Sequence, residues 1–246
     1  MLYTVRSGVH PAGISVGIVM METYVPYPPG SPNNALTFDF PVAYEVVAGA
    51  TMDALIYAPQ FDLLRDRFVD AAQSLAARGV STIVGGCGFM VLFQRELAEA
   101  VDVPVYASSL VQMPLIAQSI AVGSSVGIIT ASASSLTARH MEIACAGLNI
   151  PYVVAGLEER PAFRAAVHEQ VGVLDFEAVQ ADVVAAAEEL VRRNPSVAAI
   201  LFECTDLPPY ADAVVAATGL PVYDITSMIE WAHRAVRPRR YPHPTR

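Results

Sequence analysis

Residues 82–106 read TIVGGCGFMVLFQRELAEAVDVPVY, and residues 199–223 read AILFECTDLPPYADAVVAATGLPVY. In both stretches an apolar run leads to a cysteine, and each stretch ends in Pro-Val-Tyr. Cys87 and Cys204 align at an offset of 117 residues, and 16 residues separate each cysteine from the proline that follows it. A spacing that recurs in this way predicts two related halves within one chain.

A second pair of matching segments lies before these stretches. Ser15-Val16-Gly17-Ile18 recurs as Ser125-Val126-Gly127-Ile128 at an offset of 110 residues. The offset of 117 residues also places Ser109 opposite Thr226. The order of the segments is therefore the same in both halves, with a few residues of length change between the two blocks.

Short runs rich in valine and isoleucine alternate with longer helical patterns along the chain. Apolar spacing and terminal residues predict helices over Gln60–Gly79, Ser135–Gly147 and Asp175–Asn194. The predicted strands are Val16–Met21, Ala54–Ala58, Thr82–Gly86, Val103–Tyr106, Val126–Thr130, Tyr152–Ala155, Ala198–Glu203 and Val222–Asp224. This alternation is typical of an α/β fold with mostly parallel sheets that are covered by helices.

The repeat also predicts the domain organisation. Residues 1–118 together with 224–246 are expected to form the first α/β half, and residues 119–223 the second. Ligands of open parallel sheets bind at the carboxyl ends of the strands, so we expect the active site in the cleft between the halves. The tail from residue 237 to 246, rich in arginine and proline, is expected to be mobile or bound at an interface.

The composition excludes several classes of protein. The chain has 246 residues, 54% of them hydrophobic, and a net charge of −9, which argues against nucleic acid or an anionic membrane as a partner. All 15 basic residues are arginine. Without lysine there is no Schiff-base enzyme, no Walker A phosphate loop and no kinase strand lysine. No cofactor is predicted.

The cysteines suggest a reducing compartment. Three cysteines without a CxxC pair fit neither a disulfide framework nor a structural zinc site, so we expect no metal and a cytoplasmic location. The uncharged run Val103–Ala138 is long enough to span a membrane. Prolines and a Gly-Ser-Ser turn interrupt it, and we interpret it as strand, helix and strand inside the fold.

Cys87 and Cys204 each follow an apolar strand and precede a helical segment. A helix N-terminus is expected to lower the pKa of each thiol, although a cysteine at a strand end is more often a small buried hydrophobe. Two matched thiols on opposite sides of a small ligand suit removal of a proton from one face of a carbon and delivery to the other. Backbone N–H groups of the residues after the cysteines would stabilise the enolate-like intermediate, namely Gly88, Phe89, Thr205 and Asp206.

At these residues the sequence resembles the aspartate/glutamate/hydantoin racemase superfamily. Glu203-Cys204-Thr205-Asp206 is similar to the Gly-Cys-Thr-Glu segment of that family, and 126–130, VGIIT, to its strand before a Thr- or Ser-rich substrate loop. The first motif departs from the family, because Gly88 and Phe89 stand where Asn-Thr or Thr-Ser often follows the cysteine. The resemblance implies two pseudo-symmetric, Rossmann-like, three-layer domains, paired active-site cysteines and a homo-oligomer.

Three further segments are candidates for the site. The loop after the fifth predicted strand, with Thr130, Ser132 and Ala133, would bind a substrate carboxylate through hydroxyls and N–H groups, or serve as an ordinary helix cap. The loop from Tyr27 to Asn34 is suited to a lid but equally to a surface turn. Asp206 is expected to cap the next helix, with orientation of Cys204 as the alternative.

Together these features predict a cofactor-independent racemase or epimerase, an isomerase that uses two cysteines. Its substrate would be a small carboxylate such as an amino acid or a hydantoin. The alternatives are a cysteine-dependent cis–trans isomerase of a maleate-like dicarboxylate, an arylmalonate-type decarboxylase, and a binding protein in which the cysteines are incidental.

Overall fold

The two sheets are parallel throughout and have the same strand order. The computed structural model describes residues 13–57 and 59–241, and within them eight strands form the sheets β2-β1-β3-β4 and β6-β5-β7-β8. The strands of the first sheet are β1 (Val16–Met20), β2 (Val42–Val46), β3 (Thr82–Gly85) and β4 (Val105–Tyr106). Those of the second are β5 (Ser125–Thr130), β6 (Tyr152–Gly156), β7 (Val197–Phe202) and β8 (Val222–Tyr223).

Helices connect the parallel strands. They are α1 (Phe61–Ala77), α2 (Gln94–Glu99), α3 (Met113–Ser119), α4 (Ala138–Ala144), α5 (Pro161–Phe163), α6 (Phe176–Arg193), α7 (Ala211–Thr218) and α8 (Ile225–Val236). The start of α6 follows from its sequence, since the Asp175 side chain accepts the N–H of Ala178 at 3.0 Å. Two arginines in its last turn complement the negative end of the helix dipole.

The strand registers repeat with the offsets found in the sequence. Ile83 pairs with Val105 in the first sheet, and Ile200 pairs with Val222 in the second, so both partners are 117 residues apart from their counterparts. The central strands follow the other offset, because Val126 in β5 stands 110 residues after Val16 in β1. The prediction of two related α/β halves is confirmed.

Each half is a three-layer arrangement built around its central strand. Gly17 in β1 lets α1 approach closely, since a Cβ at Gly17 would lie 3.0 Å from the Leu75 side chain. At the equivalent Gly127 in β5, a Cβ would lie 2.6 Å from Leu190 of α6. The repeated Val-Gly-Ile segment therefore alternates between a helix-contacting glycine and apolar residues that face the opposite layer.

The opposite faces of the two sheets pack against different helices. In the first half Ile18 contacts a cluster with Ile225 and Ile229, so the last helix, α8, covers the first sheet although β8 belongs to the second. In the second half Ile128 packs with Ile116 of α3 and Met141 of α4. The domain boundaries at 118/119 and 223/224 stay a prediction. Of the predicted mobile tail, residues 242–246 lie outside the described residues.

Three sequence-based predictions of secondary structure differ from the structure. The predicted strand Ala54–Ala58 is wrong, because Asp53–Tyr57 forms a π-helical turn; Ala58 lies outside the described residues. A short apolar run buried on several sides does not distinguish strand from helix. The edge strand β2 was not predicted, since its Tyr and Glu interrupt the apolar pattern. The predicted helix Ser135–Gly147 is shorter and begins at Ala138.

The long uncharged run in the middle of the chain is divided among several elements. It contains β4, a 3₁₀ turn at Ser109–Gln112, α3 and β5, as the sequence predicted in outline. In the part of the chain that the structure describes, no helix combines the length and the apolar character that a membrane span requires.

Candidate active site

The two aligned cysteines line one small cavity at the carboxyl ends of β3 and β7. The cavity measures about 30 Å³. Both cysteines are free and nearly buried, with 6% of Cys87 and 7% of Cys204 exposed. Six of the predicted site residues line this cavity, and they are Cys87, Gly88, Phe89, Cys204, Thr205 and Asp206.

Cys87 begins a 3₁₀ helix, Gly88–Phe93, in an extended backbone conformation. Its thiol receives backbone N–H groups from Phe89 and Met90, which favour the thiolate. Burial outweighs these donors and raises the pKa of the Cys87 thiol, and the nearby Glu203 carboxyl acts in the same direction. The expectation that the helix N-terminus lowers the pKa is therefore wrong for this residue.

Cys204 follows β7 and is paired with an acid. Its thiol donates to Oδ2 of Asp206 at 3.6 Å, and the Asp206 N–H group contacts the sulfur. Burial, with Asp206 and Glu203 close by, raises the pKa of the Cys204 thiol well above its usual range. Exclusion of water also raises the pKa of the Asp206 carboxyl to about 6. Asp206 thus orients Cys204 and is not the helix cap that the sequence favoured.

Glu203 is a site residue that was not predicted from the sequence. Its side chain is 1% exposed and lines the cavity between the two cysteines. Thr130 Oγ1 donates to its Oε2 at 2.7 Å, the Ala131 N–H donates to the same carboxyl, and Oε1 has no partner. Burial raises the pKa of Glu203 to about 7.

The position of the Glu203 carboxyl leaves no room for a side chain at residue 88, which is glycine. A Cβ at position 88 would lie 2.0 Å from Glu203 Oε1 and 2.3 Å from the Glu203 carbonyl oxygen. These distances are far below van der Waals contact, so no side chain fits there without movement of β7. The departure of the first cysteine motif from the racemase pattern has a structural cause in the other half.

The predicted carboxylate loop does not line the cavity through Thr130, Ser132 or Ala133. The Thr130 hydroxyl is used by Glu203, and the Ser132 hydroxyl contacts those of Ser134 and Ser135. The Ala133 N–H donates to Glu158 at 3.0 Å. Only Ala131 of this loop reaches the cavity. The donors expected to hold substrate are occupied by groups of the protein itself.

The loop predicted as a lid contributes Tyr27 and Asn33 to the cavity. The Tyr27 hydroxyl contacts Thr23 Oγ1 and lies near Asp206 and Cys204. Burial and the neighbouring Asp206 raise the pKa of Tyr27, so the phenol stays protonated. The loop is fixed to the end of the chain, since Thr226 Oγ1 donates to the Gly30 carbonyl at 2.9 Å.

Two π-helical turns, one from each half, close another side of the cavity. Asp53–Tyr57 contributes Ile56, and Arg164–His168 contributes Val167. The Tyr57 hydroxyl contacts Nδ1 of His168, whose Nε2 donates to the Ala131 carbonyl at 2.9 Å. Burial lowers the pKa of His168, consistent with a neutral ring that accepts at Nδ1. No motif in the sequence indicated this contact between the halves.

Comparison with curated proteins identifies clear relatives, although no protein-family model matches the chain. The dimethylsulfoniopropionate lyase of Durusdinium sp. clade D is 34% identical over 216 residues, which cover 85% of this chain and 71% of that protein. Dimethylsulfoniopropionate lyase 3 of Emiliania huxleyi is 34% identical over 218 residues, or 85% of this chain and 56% of the relative. The chain therefore spans only part of the length of these relatives.

Solved structures share the fold at low sequence identity. The aspartate racemase of Picrophilus torridus has a TM-score of 0.60 and 15% identity, covering 94% of this chain and 96% of that chain. Unliganded arylmalonate decarboxylase has a TM-score of 0.58 and 15% identity, with the same coverage of 94% and 96%. The predicted resemblance to the racemase superfamily and the predicted fold class are confirmed.

The relatives correct the predicted function. They are named lyases, whereas the sequence analysis predicted a racemase or epimerase and hence an isomerase, and that prediction is wrong. The cysteine motifs indicate thiols that can remove a proton from a carbon. What happens to the carbanion that this leaves depends on the substrate. A leaving group on the next carbon turns the same proton removal into an elimination. The absence of cofactor, metal, nucleic-acid and membrane partners and the homo-oligomer stay predictions.

Two levels of relationship follow from these findings. The fold is that of aspartate racemase and arylmalonate decarboxylase. The chain is more closely related to the Durusdinium lyase, with 34% identity and 71% of that protein covered, than to proteins that share only its fold. This chain belongs to the family of the dimethylsulfoniopropionate lyases.

Proposed function

We propose that this protein is a lyase that eliminates a dialkyl sulfide from a sulfonium carboxylate of the dimethylsulfoniopropionate type. The observation that carries the proposal is the chemistry of the cavity wall. Two thiols and two carboxyls, Glu203 and Asp206, line it, and no arginine or histidine is among its described lining residues. A cavity lined by acidic side chains, with no cationic side chain among its described lining residues, favours a ligand that brings a positive charge.

The reaction balances without a redox step. The substrate carries a carboxylate on its α-carbon and a sulfonium on the β-carbon. A base takes a proton from the α-carbon, the C–H electron pair becomes the new carbon–carbon double bond, and the pair of the β-C–S bond leaves with sulfur. The products are acrylate, a neutral dialkyl sulfide and the protonated base. One base is sufficient, in contrast to racemisation.

Cys204 is the base in this proposal. Asp206 Oδ2 accepts its proton at 3.6 Å, which leaves a thiolate to attack the α-hydrogen. The raised pKa of the thiol would make this costly in an uncharged cavity. A sulfonium ion next to the thiolate stabilises the negative charge, so binding of the substrate promotes ionisation of its own base.

Cys87 and the lid loop hold the substrate in this proposal. The Cys87 sulfur, with two N–H groups directed at it, presents a second polarisable group to the cavity. The Thr23 and Tyr27 hydroxyls and the Asn33 amide are neutral polar groups that also line the cavity. They suit the carboxylate of the substrate, since neutral donors bind an anion without a cation that would compete for the two acids.

The test is release of dimethyl sulfide from dimethylsulfoniopropionate, measured by gas chromatography for the wild type and three alanine variants. Cys204→Ala should lose roughly a hundredfold to ten-thousandfold in kcat, the usual contribution of a general base. Cys87→Ala should mainly raise KM. Cys145→Ala is the matched control, because Cys145 is buried in a separate core cluster and should leave the rate unchanged.

Exchange of the α-hydrogen in deuterated water separates chemistry from binding. The Cys204→Ala variant should lose exchange together with elimination, whereas Cys87→Ala should retain it. Elimination by Cys204→Ala at the wild-type rate would refute the assignment of the base. Failure of the wild type to release any dialkyl sulfide would refute the proposed function itself.

A further inference from the structure

The loop after β5 already binds a carboxylate, and that carboxylate belongs to the protein. Thr130 Oγ1 and the Ala131 N–H both donate to Glu203. The neighbouring N–H groups are also used, since Ser132 donates to Thr130 Oγ1 and Ala133 to Glu158. The second half therefore has a carboxylate-binding loop whose occupant is a side chain of the adjacent strand end.

The other oxygen of this carboxyl makes no hydrogen bond, and the residue lines the cavity. Oε1 of Glu203 has no hydrogen-bond partner although the residue is 1% exposed. It lies against Gly88, where a Cβ would come within 2.0 Å. A buried carboxyl with one unpartnered oxygen is costly, and a positive charge brought by a ligand would compensate it.

We propose that Glu203 determines substrate specificity: its carboxyl fills the place of a second substrate carboxylate, and its free oxygen faces the onium group of the substrate. The site then selects a monocarboxylate that carries a cationic group. It rejects dicarboxylates and monocarboxylates without such a group. The inference rests on the proposed function and adds the residue that defines its substrate class. Asp206 receives the Cys204 thiol at Oδ2 at 3.6 Å, whereas Glu203 is the lining acid with a fully buried oxygen that has no partner.

Two ligands of the same shape, one with and one without the cationic group, measure how much that positive charge contributes to binding. 3-(Trimethylammonio)propionate carries a cation and no sulfide leaving group, and 4,4-dimethylpentanoate is its neutral carbon isostere. Calorimetric dissociation constants of both, with the full chain, give a cation preference that does not depend on turnover. The wild type should prefer the cation by about tenfold or more, the scale of one charge-assisted contact.

Three variants test the residue. Glu203→Gln keeps the size and the Thr130 contact but loses the charge, so the cation preference should fall about tenfold. Glu158→Gln is the matched control, because it removes a carboxyl from the same loop region outside the cavity and should leave the preference unchanged. Glu203→Gly should bind succinate at least tenfold more tightly than the wild type does, because the loop donors become free.

The outcomes separate this inference from the proposed function. An unchanged preference in Glu203→Gln, an equal loss in Glu158→Gln, or a wild type that does not prefer the cation would overturn the role of Glu203. Absence of any gain for succinate in a Glu203→Gly protein with wild-type circular dichroism would overturn the idea of a filled carboxylate site. A preserved cation preference without release of dialkyl sulfide would refute the proposed reaction and leave the specificity assignment standing.

Discussion

Replacement of Glu203 by glutamine should change how the stability of the protein depends on pH. The carboxyl has an ordinary pKa of 4.5, and burial raises this to about 7 in the folded protein. Between these two values the folded state binds more protons than the unfolded state. The free energy of unfolding therefore falls as the pH rises through this window, and the cost of the buried charge is fully present above pH 7.

The magnitude follows from the difference between the two pKa values. A difference of about 2.5, at about 1.4 kcal/mol for each, corresponds to a loss on the order of 3 kcal/mol. Glutamine at position 203 does not titrate, keeps the Thr130 hydroxyl as a partner and removes this loss. The variant should thus gain on the wild type by up to about 3 kcal/mol between pH 4.5 and pH 8.

Urea unfolding across this pH range, followed by circular dichroism, measures the effect. Asp206→Asn is the matched comparison, because burial raises the pKa of Asp206 from 3.8 to about 6, a lower window. In a plot of the free energy of unfolding against pH, Glu203→Gln should flatten the part of the wild-type curve at higher pH. Asp206→Asn should flatten the part at lower pH. A difference in free energy of unfolding between the wild type and Glu203→Gln that stays constant from pH 4.5 to pH 8 would refute the assignment.

Two further substitutions test the packing around the same carboxyl. Gly88→Ala places a Cβ 2.0 Å from Glu203 Oε1 and should lower the free energy of unfolding by about 1–3 kcal/mol, with a loss of turnover; a wild-type urea midpoint would contradict this. Thr130→Val removes the hydroxyl that donates to Glu203 at 2.7 Å and should cost about 1–3 kcal/mol above pH 7, where the carboxyl is ionised. The cost should shrink at lower pH, and an equal cost at every pH would show that the hydroxyl stabilises something else.

Much of the fold could be predicted because the chain repeats its own sequence. The offsets of 117 and 110 residues recur as strand registers, and Gly17 and Gly127 occupy equivalent contacts with a leucine of the covering helix. Ala54–Ala58 was wrongly predicted as a strand, since three consecutive buried apolar residues fit either a helical turn or a strand. The matching π-helical turn of the second half, Arg164–His168, has a different sequence, so the repeat did not reveal it.

The sequence predicted the cysteines and the residues that follow them as part of the site, but it predicted neither the role of Glu203 nor the state of the thiols. Cys87 and Cys204 stand at strand ends, and the topology brings such ends together. The state of their thiols was predicted with the wrong sign, because the helix N-terminus is visible in a sequence whereas the degree of burial is not. Burial raises both pKa values more than the backbone donors lower them. The contact between Tyr57 and His168 joins residues far apart in sequence and left no local signal.

Gly88 and Glu203 are best understood as one feature divided between the two halves. In the racemase pattern a glycine precedes the second cysteine and polar side chains follow the first. Here glutamate precedes the second cysteine and glycine follows the first, and a Cβ at Gly88 would lie 2.0 Å from Oε1 of Glu203. The acid in one half therefore depends on the absence of a side chain in the other. The cation preference that we propose needs no change to the paired thiols, because it rests on the residues beside them.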